Sequence, residues 1–280
     1  MKTENRKSTN LKNLSARRLW LHIYEEAKEV INKEPFLKTF IQSSVLQHET
    51  FAEAVINRIA FRLSHPLIDE VQLFKVFQQA LISEPDLENA ILKDILAVRD
   101  RDPACLRLLD PFLYFKGFHA LQTHRLAHHF WKTEQKDFAL YLQSRASEVF
   151  QTDIHPAAHL GKGIMLDHAT GLVVGSTSVI GDDVSLLQGI TLGGTGKDQG
   201  DRHPKIGNGV LIGAGAIILG NIKIGHCARI AAGSVVLNPV PARTTVAGVP
   251  ARVIGEAPCV SPSLSMDHTL VITTKKESGK

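Results

Sequence analysis

The chain has 280 residues, 44% of them hydrophobic, which is enough for one large hydrophobic core or two ordinary ones. Its formal charge of +4 is small and its lysines and arginines are scattered, which argues against a nucleic-acid surface and allows an anionic small-molecule ligand. No apolar run approaches the roughly 18 residues of a membrane-spanning helix, and no signal-peptide core follows the polar N-terminus, so we expect a cytoplasmic protein. Three widely spaced cysteines, Cys105, Cys227 and Cys259, favour reduced thiols over a disulfide framework.

Residues 1–150 are predicted to be helical. Only one of the 21 glycines, Gly117, falls in this half, and apolar residues recur at helical spacing, as in Leu19, Ile23, Ala27 and Val30. Prolines punctuate the pattern and divide it into helices. The predicted helices cover residues 14–33, 36–47, 49–62, 70–82, 87–99, 111–131 and 136–150.

The second half has a different period, of six residues. Aliphatic side chains recur at Ile206, Ile212, Ile218, Ile224, Ile230 and Val236, and an earlier block keeps the same step at Val174, Ile180, Leu186 and Leu192. Such regularity indicates a repeat architecture. We predict a triangular prism, a parallel β-helix in which each hexapeptide supplies a short strand and a corner and the aliphatic residue points to the axis. The interval from Leu192 to Ile206 is too long for two hexads, so 193–205 should protrude as a loop, and such loops commonly carry function.

Polar side chains concentrate in three segments of this half: 153–156, 167–171 and the loop 193–205. A histidine there is a candidate base for acyl transfer to a hydroxyl, because an aliphatic hydroxyl is hardly ionised near neutral pH. A carboxylate on the other ring nitrogen would fix its tautomer. Asp153 and His168 are about one coil apart in sequence, so they can lie on neighbouring coils and touch.

These segments carry a resemblance to the serine acetyltransferase family. The matching motifs are DIHPAA at 153–158, GIMLDHATG at 163–171, TLGGTGK at 191–197, GDRHPK at 200–205 and AGVPAR at 247–252, together with RDPA at 101–104 and LYFKGFHA at 113–120 of the helical half. The resemblance covers residues 15–257. It implies a left-handed β-helix, so the expected fold class is α+β by domain: a helical domain over 1–150, a left-handed parallel β-helix of hexapeptide repeats with a protruding loop over 151–257, and a flexible or regulatory tail over 258–280.

The resemblance also implies a site. His168 would be the general base with Asp153 as its carboxylate partner, and His203 would position substrate or stabilise the oxyanion. Asp102 and Asp167 would hold the serine ammonium, and Arg202 would pair with the serine carboxylate, a geometry that lysine does not reproduce. Acetyl-CoA is the expected co-substrate, with no permanently bound cofactor and no metal. Its expected binding residues are Gly194, Thr195, Ala214, Gly215, Arg229, Ala232 and Arg252.

Plainer interpretations stand beside these roles. Lone histidines in repeat proteins are usually surface residues, Arg202-His203-Pro204 can be a simple turn, and Asp153 and Asp167 can be corner residues that bind turn amides. His124 and His128 have the helical spacing of metal ligands but lack the glutamate of a zinc protease motif. The rival functions are a trimeric zinc carbonic anhydrase on the same prism, a β-helix used only as a scaffold, and an acetyltransferase with a sugar or chloramphenicol acceptor.

The family resemblance implies partners as well. The prism half is expected to form trimers and the helical half to join two trimers into a hexamer. L-Cysteine is expected to inhibit at the serine site and to displace acetyl-CoA through residues 263–268, although Ser176 stands where the family usually has glutamate. A cysteine synthase complex is doubtful, because that partner takes up a C-terminal isoleucine and this chain ends in Lys280.

Overall fold

The structure, a computed structural model, describes residues 15–197, 199–257 and 261–269. Eight helices form the first part: α1 Ala16–Lys33, α2 Lys38–Ile41, α3 Phe51–Leu63, α4 Glu70–Ser83, α5 Asp86–Arg101, α6 Leu109–Leu113, α7 Lys116–Lys132 and α8 Lys136–Phe150. A short α9, Pro262–Ser265, follows the prism. Within these ranges, no helix combines the length and the apolar character needed to cross a membrane. Cys105 and Cys227 are free thiols, whereas Cys259 and Lys280 lie outside the described residues.

Local capping explains where several helices begin. The side chains of Ser15, Thr50 and Asp69 each accept a hydrogen bond from the backbone N–H three residues later, which satisfies a donor that the helix leaves without a partner. Behind these caps, the predicted apolar stripe of α1 is buried. Five of the seven predicted helices agree with the structure to within two residues.

Two predicted helices are wrong in detail. The segment expected as one helix over 36–47 is a 3₁₀ turn, Pro35–Leu37, then α2, then a π-helical turn, Gln42–Leu46. The helix expected over 111–131 is split between α6 and α7, because Tyr114 and Phe115 leave helical geometry. The break redirects the chain so that the first turn of α7 reaches the prism, a tertiary requirement that periodicity does not encode.

The second part is the predicted prism, built from three sheets of stacked short strands and consistent with the left-handed β-helix of hexapeptide repeats. Sheet 1 has the order β1-β4-β7-β10-β13, sheet 2 β11-β8-β5-β2 and sheet 3 β15-β14-β12-β9-β6-β3. The strands are β1 Thr152–Ile154, β2 His159–Leu160, β3 Met165–Leu166, β4 Leu172–Val174, β5 Val179–Ile180, β6 Ser185–Leu186, β7 Thr191–Gly193, β8 Lys205–Ile206, β9 Leu211–Ile212, β10 Ile217–Leu219, β11 Lys223–Ile224, β12 Arg229–Ile230, β13 Val235–Val236, β14 Thr244–Gly248 and β15 Ala251–Glu256.

The hexad rule predicts the axis of the prism correctly. Every aliphatic residue of the two predicted series is buried, and members one coil apart stack in parallel register, as in Ile180, Ile206 and Ile224. These side chains form a hydrophobic core separate from the core of the helices. The antiparallel pair β14 and β15, which the six-residue period does not predict, follows the last coil.

The coils differ in length where residues leave the prism. Lys205 pairs with Lys223, which gives a regular 18-residue coil, whereas Thr191 pairs with Ile217 because the predicted loop, here 194–204, projects between β7 and β8. The first coil runs 20 residues, from Thr152 to its partner Leu172. Its two extra residues lie in the corner between β3 and β4.

Candidate active site

A cleft of about 360 Å³ separates the helices from that first coil. We call it the corner cleft; its lining residues are Val98, Asp102, Ala104, Tyr114, Phe115, Lys116, Gly117, Met165, Leu166, Asp167, His168 and Thr170. Three predicted site residues meet in it. Asp102 follows the last turn of α5, while Asp167 and His168 follow β3. The helical half therefore lines this cleft together with the first coil of the prism.

The two extra residues of the first coil shape the corner that carries His168. His168 and Ala169 both have left-handed backbone conformations, with φ of +55° and +60°. This conformation is costly for residues other than glycine and concentrates at functional sites. Lys116 of α7 holds the corner from outside by donating to Thr170 Oγ1. His168 is thereby presented to solvent, with 74% of its side chain exposed.

The corner cleft is electrostatically suited to a cation. Burial raises the pKa of the Asp167 carboxyl. The neighbouring His168 lowers this pKa, and the negative charge of Asp102 raises it further. Asp167 Oδ1 lies 3.7 Å from His168 Nε2. Two carboxylates near one another favour a positively charged group between them. A primary ammonium fits this requirement.

Asp153 lies outside the corner cleft. It is exposed in the middle of β1 and accepts a hydrogen bond from Gln143 Nε2 at 2.6 Å. Among the described residues, the carboxylate within ion-pair distance of His168 is Asp167 rather than Asp153. The expected contact between Asp153 and His168 is therefore not made within this chain.

His203 and Arg202 form a second group, at the corner between sheets 1 and 2. We call Gly175, Thr177, Arg202 and His203 the loop cluster. Thr177 Oγ1 accepts from the backbone N–H of Arg202 at 3.0 Å and of His203 at 3.1 Å, which folds the end of the loop onto the prism. The backbone N–H of Thr177 donates to His203 Nδ1 at 3.2 Å. This bond leaves the proton of a neutral imidazole on Nε2.

The protonation of His203 follows from its surroundings. Burial lowers the pKa of His203, and the cations Arg202 and Lys205 lower it further. A neutral ring with its proton on Nε2 is a hydrogen-bond donor at that atom. His203 Nε2 is therefore able to donate a hydrogen bond to an oxygen. Sheet 1 separates this donor from the corner cleft of the same chain.

The expected acetyl-CoA residues occupy three places. Ala214, Gly215 and Ala232 lie in the corners between sheets 3 and 1, and backbone bonds stack these corners above the His168 corner: Gly189 N donates to Thr170 O, Gly215 N to Gln188 O and Gly233 N to Ala214 O. We call this exposed column of small residues the corner ridge. Gly194 and Thr195 lie in the loop, on the far side of sheet 1. An added Cβ at Gly215 would meet nothing within 4 Å, so a ligand has room there.

The two expected phosphate-binding arginines differ in accessibility. Arg252 is exposed on β15. Arg229 is buried, and its Nη1 donates to the carbonyl oxygens of Asp267 at 3.1 Å and Thr269 at 2.9 Å. Residues 261–269, which we call the C-terminal segment, thus lie over Arg229 in this structure.

The alternative of a metal site finds no support in the described ranges. No group of three or more His, Cys, Asp or Glu side chains is placed there to hold an ion. His124 is buried in the seam between α7 and the prism, and His128 Nδ1 donates a hydrogen bond to Pro156 O at 2.7 Å. Burial lowers the pKa of both histidines. Their helical spacing places them in the packing between the two halves.

The roles of three residues that support the site were not predicted from the sequence. Thr177 orients His203, Lys116 holds the His168 corner, and Gly117 lets α7 approach the prism. One signal was present in the sequence: the interval from Leu166 to Val174 is eight residues instead of six, which marks the enlarged corner. Nothing comparable marks Lys116 or Thr177, because their roles depend on contacts between distant segments.

Comparison with known proteins places this site in a family. The family model described as "Serine acetyltransferase, N-terminal" matches residues 19–123, and the bacterial transferase hexapeptide model matches residues 203–238. Serine acetyltransferase of Haemophilus influenzae is 49% identical over 253 residues, 90% of this chain and 95% of that protein.

Two solved structures extend the comparison. The Brucella abortus serine acetyltransferase in complex with coenzyme A has a TM-score of 0.86 and 56% identity, covering 89% of this chain and 99% of that one. A serine acetyltransferase in complex with cysteine has a TM-score of 0.88 and 49% identity, covering 90% and 98%. With this identity over nearly the full length of both chains, the protein belongs to the serine acetyltransferase family.

Proposed function

We propose that this enzyme transfers the acetyl group of acetyl-CoA to the side-chain hydroxyl of L-serine, giving O-acetyl-L-serine and CoA in the first step of cysteine biosynthesis. The observation that carries this proposal is the corner cleft, where a histidine and two carboxylates lie beneath a ridge of small residues. The carboxylates supply charge for an ammonium, and the ridge supplies a path for an extended thioester. The names of the relatives agree with this chemistry.

In the proposed reaction, His168 is the general base. Its imidazole takes the proton from the serine hydroxyl as the oxygen bonds to the thioester carbonyl carbon. The tetrahedral intermediate collapses by breaking the carbon–sulfur bond, and the imidazolium returns the proton to the departing CoA sulfur. Removing such a base typically costs about 10²- to 10⁴-fold in rate.

The loop cluster and Asp153 enter the proposed site from another copy of the chain. Within one chain, Arg202 and His203 lie across sheet 1 from the corner cleft, and Asp153 lies on β1 of that sheet, outside the cleft. Packing of prisms as trimers would place the loop of one copy beside the cleft of its neighbour. Arg202 would then bind the serine carboxylate, the Nε2 proton of His203 would face the oxyanion, and Asp153 would pair with His168. The helical half would join two such trimers.

A mixing experiment tests this arrangement. Wild-type-like activity should return in part when His168→Ala and His203→Ala chains are co-expressed, since some interfaces then combine two intact halves. Each variant alone should show only its low residual activity. If the mixed oligomers are no more active than the two separate variants, the site does not span two copies.

Acetyl-CoA is proposed to lie along the corner ridge, past Ala214, Gly215 and Ala232, with Gly194 and Thr195 of an adjacent loop. Arg252 and Arg229 would bind its phosphates. Arg229 can do so only when it is released from the carbonyls of Asp267 and Thr269. The C-terminal segment and the cofactor therefore compete for one guanidinium.

This competition supports feedback inhibition by L-cysteine. Cysteine has the ammonium and carboxylate of serine, so it is expected to occupy the same cleft. His268 of the C-terminal segment is near enough to Asp167 to lower its pKa. A ligand in the cleft can thus influence the segment that covers Arg229. If saturating serine fails to relieve cysteine inhibition, the shared site is wrong.

The acceptor is tested by release of free CoA from acetyl-CoA in the presence of L-serine, L-homoserine or a panel of sugars. L-Serine should give the highest kcat/KM. The Asp102→Asn variant should raise KM for L-serine and leave KM for acetyl-CoA nearly unchanged. A sugar that exceeds L-serine would overturn the proposed acceptor.

A further inference from the structure

The residue before Asp102 is a buried arginine that no role assigned so far explains. Only 2% of the Arg101 side chain is exposed. Its guanidinium donates to Val184 O at 3.3 Å, to Ser185 Oγ at 3.1 Å and to Asp183 Oδ1 at 3.1 Å. All three partners belong to the second coil of the prism. Arg101 therefore ties the last turn of α5 to the prism.

That tie determines where the Asp102 carboxylate lies. Asp102 ends α5, and its Oδ1 accepts from the backbone N–H of Ala104 at 2.8 Å, so its side chain is oriented by its own loop. Its position relative to Asp167 then depends on how α5 docks. The docking also holds two carboxylates close together despite their mutual repulsion, because the negative charge of Asp102 raises the pKa of Asp167. Two like charges stay close only if another contact holds them.

Stability alone does not account for Arg101. Burial lowers the pKa of its guanidinium, and among the described residues its Nε has no hydrogen-bond partner. A buried charge with an unsatisfied donor is a weak contributor to folding free energy, and an apolar replacement is often neutral. The geometry it imposes on the cleft is the more specific consequence.

We propose that Arg101 is a positioning residue for the acceptor: it holds Asp102 opposite Asp167 so that both carboxylates reach one ammonium. This inference rests on the proposed function, in which these two aspartates bind the serine ammonium. Arg101 does not touch the substrate. Its effect passes through Asp102.

Steady-state kinetics test the proposal in the full chain, with L-serine and acetyl-CoA varied separately. Arg101→Gln should raise KM for L-serine about tenfold or more, because a displacement near 1 Å in a bound geometry has effects of this size. KM for acetyl-CoA should change by less than about threefold. Arg101→Lys, which keeps the charge, should recover part of the loss.

Arg145→Gln is the matched control. Arg145 also joins two elements, by donating to the carbonyls of Leu63 and Ser64 and to Glu148, but it lies on α8 away from the cleft. It should lower thermal stability without a selective change in KM for L-serine. An equal change in both KM values for Arg101→Gln, or the same change in Arg145→Gln, overturns the positioning role.

The double variant Arg101→Gln, Asp102→Asn separates this inference from the proposed function. If Arg101 acts through Asp102, the double variant should have the same KM for L-serine as Asp102→Asn alone. Multiplied effects refute the inference and leave the proposed function standing. If Asp102→Asn itself leaves KM for L-serine unchanged, the proposed ammonium site falls and the inference falls with it.

Discussion

Gly117 offers a direct test of how the helices support the active site. It lies in the first turn of α7, against the backbone of β3. A Cβ at this position would lie 2.0 Å from Leu166 O, whereas real Cβ contacts are essentially never shorter than 3.0 Å. In Gly117→Ala, α7 and β3 must therefore separate by about 1 Å or more. The neighbour atom is backbone, so no side chain can rotate away.

The separation acts on the His168 corner. Lys116, adjacent to Gly117, bonds to Thr170, and Leu166 directly precedes Asp167. A misplacement of about 1 Å near reacting groups can cost about 100-fold in rate, so we expect kcat/KM to fall by about that factor. Overpacking costs about 1–3 kcal/mol, and alanine recovers up to about 1 kcal/mol of helix propensity. The net loss of stability should be about 0–2 kcal/mol.

The assay combines CoA release with denaturant unfolding. Gly255→Ala is the control, because an added Cβ there meets nothing within 4 Å. It should keep both activity and stability. Gly117→Ala with kcat/KM within about threefold of the wild type would show that the close approach of α7 does not position the corner.

The other predictions concern single side chains and acidic pH. His168→Ala should lower kcat by about 10²- to 10⁴-fold with the oligomer intact, and wild-type activity should fall in acid because imidazolium cannot accept a proton; activity within tenfold contradicts the base role. Gly175→Ala should lower kcat by about 10²-fold without unfolding, because the added Cβ would lie 2.1 Å from His203 Nε2 and displace the ring; unchanged kcat would show that His203 is not needed there. Burial lowers the pKa of His119 to about 3, so the folded state binds fewer protons than the unfolded chain below pH 6.5 and loses stability as the pH falls from 6.5 toward 3. Between pH 6.5 and 5, the unfolding free energy of the wild type should fall by about 2 kcal/mol more than that of His119→Gln. Urea unfolding at each pH measures both free energies, and the same dependence on pH in the two proteins would refute this prediction.

The sequence alone determined the two architectures of the chain. A six-residue period can bury its aliphatic residues only by stacking coils, so Ile180, Ile206 and Ile224 revealed both the prism and its axis. Helical spacing and capping residues such as Asp69 likewise act over a few positions. The motifs around Asp167 and His203 identified the family. Each of these signals is local in the chain and is therefore legible without coordinates.

Tertiary structure decided which candidate residues meet. Asp102 lines the same cleft as Asp167 and His168 because Arg101 docks α5 and Gly117 admits α7. Asp153 lies on sheet 1 itself, and His203 lies at the far corner of that sheet. No periodicity records such distances, since they arise from side chains that touch across many residues of sequence. The separation of Asp153 and His168 in sequence is close to one coil length, but this did not imply contact. Two extra residues carry His168 out of the prism at its corner.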